Sequence, residues 1–154
     1  MITPDFAAYA VGIDIRFDRP VTAKEVQSRI ETMISKVARA CDEAGATLIG
    51  HIKCVVETKG KGFLGVSVTD PTGAPTSRGE LQDGIDEMKV IVNVLLYGLK
   101  RHTIQELVDP IAEKEMAFQG AKVRLEDLER EHRHEHGAPI TIMDEGPDKK
   151  QPLC

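Results

Sequence analysis

Residues 10–18 alternate without a break: Val11, Ile13, Ile15 and Phe17 fall on one side, and Gly12, Asp14, Arg16 and Asp18 on the other. A period of two is the pattern of a strand with one buried face, so this segment commits the chain to a sheet with an inside and an outside. Arg19-Pro20 ends it. Thr22 with Glu25 then forms a capping box, a hydroxyl at a helix start and a carboxylate three residues on. Val26, Ile30, Met33, Ile34, Val37, Cys41 and Ala44 follow at steps of three and four, and Gly45 is a natural stop. A strand followed by an amphipathic helix is the expectation.

Two further alternating segments, 47–57 and 63–69, flank Thr58-Lys59-Gly60-Lys61-Gly62, a link of hairpin length. In the first, Leu48, Gly50, Ile52, Cys54 and Val56 share one face, leaving Ile49, His51, Lys53, Val55 and Glu57 on the other. Met88 to Leu96 is rich in β-branched residues (Val90, Ile91, Val92, Val94), which favours a strand over a helix. Thr103 with Glu106 reads as a second capping box. Ile104, Leu107, Val108 and Ile111, then Phe118, Leu125 and Leu128, extend it into a long C-terminal helix over about 103–136, kinked or broken at Asp109-Pro110. From Ala138 onward Pro, Gly and charge dominate. The expectation is one α/β domain over 1–137 and a flexible tail over 138–154. The order βαβββα suggests a two-layer sandwich with helices on one face, a ferredoxin-like variant.

One feature resists that layout. The face opposite the helices carries Ile49, Val55, Phe63, Ile91 and Leu95, more apolar surface than a wet sheet face should hold. Either the C-terminal helix crosses it or another subunit covers it, and apolar surface of this extent points to the subunit. A homo-oligomer is therefore expected.

Composition narrows the function classes. With 41% apolar and 29% charged residues the chain is globular in type. Residues 1–102 hold 13 acids and 13 bases, so the net −5 belongs wholly to the remainder. An acidic chain with a balanced first part and only two Tyr and four Phe lacks the footprint of a nucleic-acid partner. No apolar stretch approaches a membrane span, and the first residues have no basic or continuous apolar leader. Cys41, Cys54 and Cys154 are widely separated and form no CxxC pair. A cytoplasmic protein with no membrane partner is the expectation.

Three groups of residues could carry chemistry. His51, Asp14 and Asn93 share the helix-free face by parity and could form an acid–base site; the bland alternative is an interface network or plain surface. The long irregular stretch 70–87 offers Thr72, Ser77 and Arg78, which with Lys53 could hold an anion; otherwise it is a connector. Lys59-Gly60-Lys61-Gly62 matches no phosphate-loop pattern and reads as a turn with solvated lysines. Glu129, His132 and His136 would lie one turn apart on a helix and could clip a divalent metal weakly; otherwise they form a solvated helix end. No cofactor is otherwise implied. The leading expectation is an oligomeric binding module for a small anionic ligand or a protein partner. The rivals are a small homo-oligomeric enzyme with an interface site around His51, and a metal-handling accessory protein using the His-rich helix end.

Overall fold

The computed structural model describes residues 6–72, 74–118 and 120–128. The fold is α+β, with a six-stranded antiparallel sheet and two helices packed on one face. In chain order the elements are β1 (Phe6–Val21), α1 (Ala23–Glu43), β2 (Leu48–Thr58), β3 (Gly62–Val68), β4 (Thr76–Leu81), β5 (Ile85–Tyr97), α2 (Arg101–Glu115) and β6 (Ala121–Asp127). The sheet order is β4-β3-β2-β5-β1-β6. Strands β1 and β2 both run antiparallel to β5, so β1-α1-β2 is a split βαβ unit around β5. Strands β5 and β6 both run antiparallel to β1, so β5-α2-β6 is a second such unit around β1. The meander β2-β3-β4 lengthens one side.

The order βαββββαβ corrects the expected βαβββα, and with two extra strands the chain is not a plain ferredoxin-like sandwich. The first addition, β4, lies inside the stretch expected to be irregular. Its sequence, TSRGEL, contributes one buried apolar side chain, Leu81, so β4 is held by backbone pairing to β3 and leaves no alternation to read. The second, β6, replaces the outer half of the expected helix over 103–136, and α2 stops at Glu115. Val123 and Leu125 pack inward at a period of two, and Gly120, at φ +78, makes the turn into the strand. Helix α2 also starts earlier than the Thr103 capping box implies, with Lys100 at its N-cap and no side-chain cap, and Pro110 sits inside it without ending it. The segment expected to be a tail, 138–154, lies outside the described residues. No helix among the described residues is long and apolar enough to cross a membrane.

Helix α1 follows its sequence closely. Thr22 accepts from the Glu25 N–H at 3.1 Å, and Asp83 accepts from the Ala23 N–H at 2.8 Å, so two free donors of the first turn are satisfied. Its buried residues are Val26, Ile30, Met33, Ile34, Val37, Ala38 and Cys41, the expected apolar face with Ala38 added and Ala44 left exposed at the C-cap. They pack on Ile13, Ile15, Ile52, Cys54, Val56, Leu64, Val66 and Val90, all essentially inaccessible. The two helices are tied by Lys36, whose Nζ lies 2.6 Å from Glu115 Oε2, and by Arg29, which donates to the Glu115 carbonyl at 3.2 Å.

Strand β2 departs from simple alternation at one residue. Ile49 pairs with Leu96 and His51 with Leu95, so Gly50 is an extra residue, a bulge. The bulge turns Ile49 into the core (6% exposed) and Leu48 outward, reversing the expected faces of both. A Cβ on Gly50 would stand 3.0 Å from the Leu95 carbonyl oxygen, so only glycine fits without a shift.

Helix α2 is anchored to β1 by the buried Tyr9, whose hydroxyl donates to Asp109 Oδ1 at 2.7 Å. Arg101 lies 5.1 Å above the same ring and pairs with Asp127 of β6 at 2.7 Å. Tyr9→Phe removes the donor and leaves the Asp109 carboxylate unanswered. The expected loss is about 1.5–3 kcal/mol, seen as a lower urea midpoint at unchanged slope. The buried thiols give a pH dependence. Burial pushes Cys41 up to about 11 from 9.0, and Cys54 moves in the same direction. Unfolded thiols release their protons first as the pH rises, so this stabilisation is fully present below pH 9.0 and is lost as pH climbs through about 11. Urea midpoints should fall across that window, less steeply in Cys41→Ala.

Candidate functional site

Residues opposite one another in register project from the same side of a sheet, so the helix-free face is organised in rows about 6.7 Å apart, two residues of strand rise. The first row is Leu48, Tyr97 and Phe6. The rings of Phe6 and Tyr97 are 5.3 Å apart, yet Phe6 is 54% exposed and Leu48 60%. The second row is His51, Leu95 and Ala8. The third runs Thr76, Ser67, Lys53, Asn93, Ala10, and the fourth Arg78, Gly65, Val55, Ile91, Gly12, Glu126. Large half-buried side chains on β2 and β5 (Val55, Ile91, Leu95) form a ridge that the exposed Lys53 and Asn93 of the third row interrupt. Alanines and a glycine on β1 lie low on one side of it, and Gly65 on β3 on the other. Leu128, just past β6, reaches over Gly12, and a Cβ there would meet Leu128 Cδ2 at 3.1 Å.

Beyond the fourth row the face changes character. The fifth row continues from Phe63 as Glu57, Lys89, Asp14 and Arg124, alternating in sign across four strands. Arg124 donates to Asp14 Oδ2 at 3.1 Å. The sixth row is Glu87, Arg16 and Lys122, joined by Lys59 from the turn before β3. Glu87 receives Arg16 at 3.5 Å and Lys59 at 3.2 Å. Here β1 leaves β5: their register breaks after Arg16–Glu87 and resumes at Val21–Ile85. On the rows before the break lies a cleft of about 670 Å³, with Ile15, Met88 and Val123 among its lining residues. Five cations and three carboxylates line it as well, which leaves an excess of two positive charges.

The residues expected to act together are dispersed. His51, Asn93 and Asp14 do share the helix-free face, but they occupy the second, third and fifth rows. Three rows put Asp14 about 20 Å along the strands from His51. Asp14 is committed to Arg124, while His51 makes no hydrogen bond or ion pair with a described side chain. Thr72, Ser77, Arg78 and Lys53 do not converge either. Thr72 closes a turn on Asp70, with its N–H donating at 2.7 Å and its hydroxyl at 2.8 Å. Ser77 faces the helices and donates to Glu31 Oε2 at 2.6 Å. Arg78 and Lys53 lie on the helix-free face, two strands and one row apart. The lysine turn is closed by Thr58, whose hydroxyl donates to the Gly62 carbonyl and accepts from the Lys61 N–H, with Gly60 and Gly62 both at positive φ. Glu129, His132 and His136 lie outside the described residues. Among the described residues no group of three or more His, Cys, Asp or Glu side chains is placed to hold a metal ion.

The cleft residues Lys89, Lys122 and Arg124 were not among the expected ligands. For Lys122 and Arg124 the signal was the alternation Ala121, Val123, Leu125 against Lys122, Arg124, Glu126, which defines β6 and its outward cations. No family model, curated protein or solved structure matches the chain.

Because Asp14 and His51 are well separated and share no partner, a double-mutant cycle of His51→Ala and Asp14→Asn should be additive in unfolding free energy to within about 0.3–0.5 kcal/mol. A larger coupling would mean that the two side chains meet.

Proposed function

We propose that the chain is a homodimeric binding module: a second copy packs on the apolar rows of the helix-free face, and the cleft at the charged end of that face takes a small anionic ligand. The observation that carries the reading is the exposure of Phe6 and Leu48 beside the half-buried Leu95, Ile91 and Val55 on a face that no described residue covers apart from Leu128 over Gly12. Exposed apolar surface of this kind marks an interface. The occupant is argued from size and shape. The six rows hold about 25 paired strand residues, and at about 32 Å² each they cover roughly 800 Å², which is the area a standard interface covers on each partner. A central ridge flanked by low ground on β1 and β3 can seat against its own copy, ridge into trough, across a two-fold axis. The apolar side chains of the first, second and fourth rows would form the interface centre, with Lys53 and Asn93 of the third row as polar contacts between them, and the charged rows its rim. The cleft lies at that rim, and its volume of about 670 Å³ is in the range of small-molecule sites.

An acid–base enzyme centred on His51 has less support, since the third member of its constellation lies three rows away and is ion-paired.

Light scattering on the purified chain should give twice the 16.9 kDa mass. Leu48→Asp and Leu95→Asp, each placing a charge in the apolar rows, should shift the protein to monomer with the circular dichroism spectrum retained. A wild-type monomer that persists at high concentration would overturn the dimer.

A further inference from the structure

Rows five and six obey different charge rules. Row five alternates, Glu57 negative, Lys89 positive, Asp14 negative, Arg124 positive, so each charge faces its opposite across the strands. Row six does not: Lys59 is positive, Glu87 negative, Arg16 positive and Lys122 positive. Arg16 and Lys122 are direct partners in the β1–β6 register. Side chains so placed have Cβ atoms about 4.5–5.5 Å apart, and like charges there are destabilising. The one carboxylate of the row, Glu87, is already shared by Arg16 and Lys59. The cleft's two surplus positive charges therefore sit in row six, at its mouth.

We propose that this row binds a compact dianion, the phosphate group of a small phosphorylated molecule being the best fit, between Arg16 and Lys122, while Lys59 offsets the charge of Glu87 on the other side of Arg16. A doubly negative group neutralises the surplus and turns the Arg16–Lys122 repulsion into two attractions to one centre. Arg16 supplies a planar fork suited to two phosphate oxygens, and Lys122 supplies a point charge on a flexible stem. The cleft's volume suits a small molecule better than a macromolecular surface. The inference rests on the cleft being the ligand site and does not depend on the dimer.

The test is thermal unfolding and NMR titration of the full chain with inorganic phosphate, with succinate and with chloride at matched ionic strength. Phosphate should raise the midpoint saturably and move the Arg16 and Lys122 amide signals. Chloride should do neither and succinate should act more weakly than phosphate; a succinate response equal to that of phosphate would overturn the preference for a compact dianion. Lys122→Glu completes the alternation of row six. It should raise the midpoint of the free protein and weaken phosphate at least about tenfold. Arg16→Gln, which does not alter the edge strand, should weaken phosphate as well. If phosphate acts no differently from chloride, or Lys122→Glu binds it as well as the parent, the proposal is overturned and Lys122 serves only to guard a sheet edge. Light scattering on the same samples separates the two readings: a dimer indifferent to phosphate defeats this site alone, and a monomer that binds phosphate defeats only the dimer.

Discussion

The antiparallel pairing of β1 with β5 is the constraint on which the molecule depends. These two strands are the middle pair of the β2-β5-β1-β6 half of the sheet, and each is the filling of the other's split βαβ unit. Their register sets Ile13 against Val90 and Ile15 against Met88 on the helix side, and Asp14 against Lys89 and Arg16 against Glu87 on the other. A slip of one residue would turn one strand over against the other and put two charges, Asp14 and Arg16 or else Glu87 and Lys89, under the helices. The helix packing, the apolar rows and the charge rows all inherit this one alignment.

Much of the fold could be read from periodicity, because the elements that bury a continuous face announce it. Strand β1, the whole buried face of α1, the pair β2 and β3, and the β-branched β5 are of this kind. The elements that sequence reasoning misplaced bury little. Strand β4 hides only Leu81 and is held by its backbone. Strand β6 alternates correctly, but Ile111, Phe118 and Leu125 recur at seven-residue steps and imitate a helix running past Glu115. The bulge at Gly50 changed the faces of Leu48 and Ile49, and a glycine at a bulge looks like any other glycine in a strand.

The candidate site was legible only to the level of faces. Parity correctly put His51, Asp14 and Asn93 on one side of the sheet. It could not say that they stand in different rows, since row number depends on strand order and register, which are long-range properties. The cations that gather at the cleft come from β1, β5, β6 and the turn before β3, and no local window of sequence joins them. Ser77 illustrates the converse: a hydroxyl in a presumed loop sits in an edge strand and is spent on Glu31 of α1.

The same topology governs how the chain comes into being. Strand β1 leaves the ribosome first, but its two neighbours in the sheet begin only at Ile85 and Ala121. At ribosomal speeds of about 5–20 residues per second, an amphipathic sixteen-residue segment waits on the order of seconds with no strand to pair with. Sheets closed by such distant contacts are also slow to form. Charges spaced along such a segment, as Asp14, Arg16 and Asp18 are, disfavour its pairing with another chain while it waits.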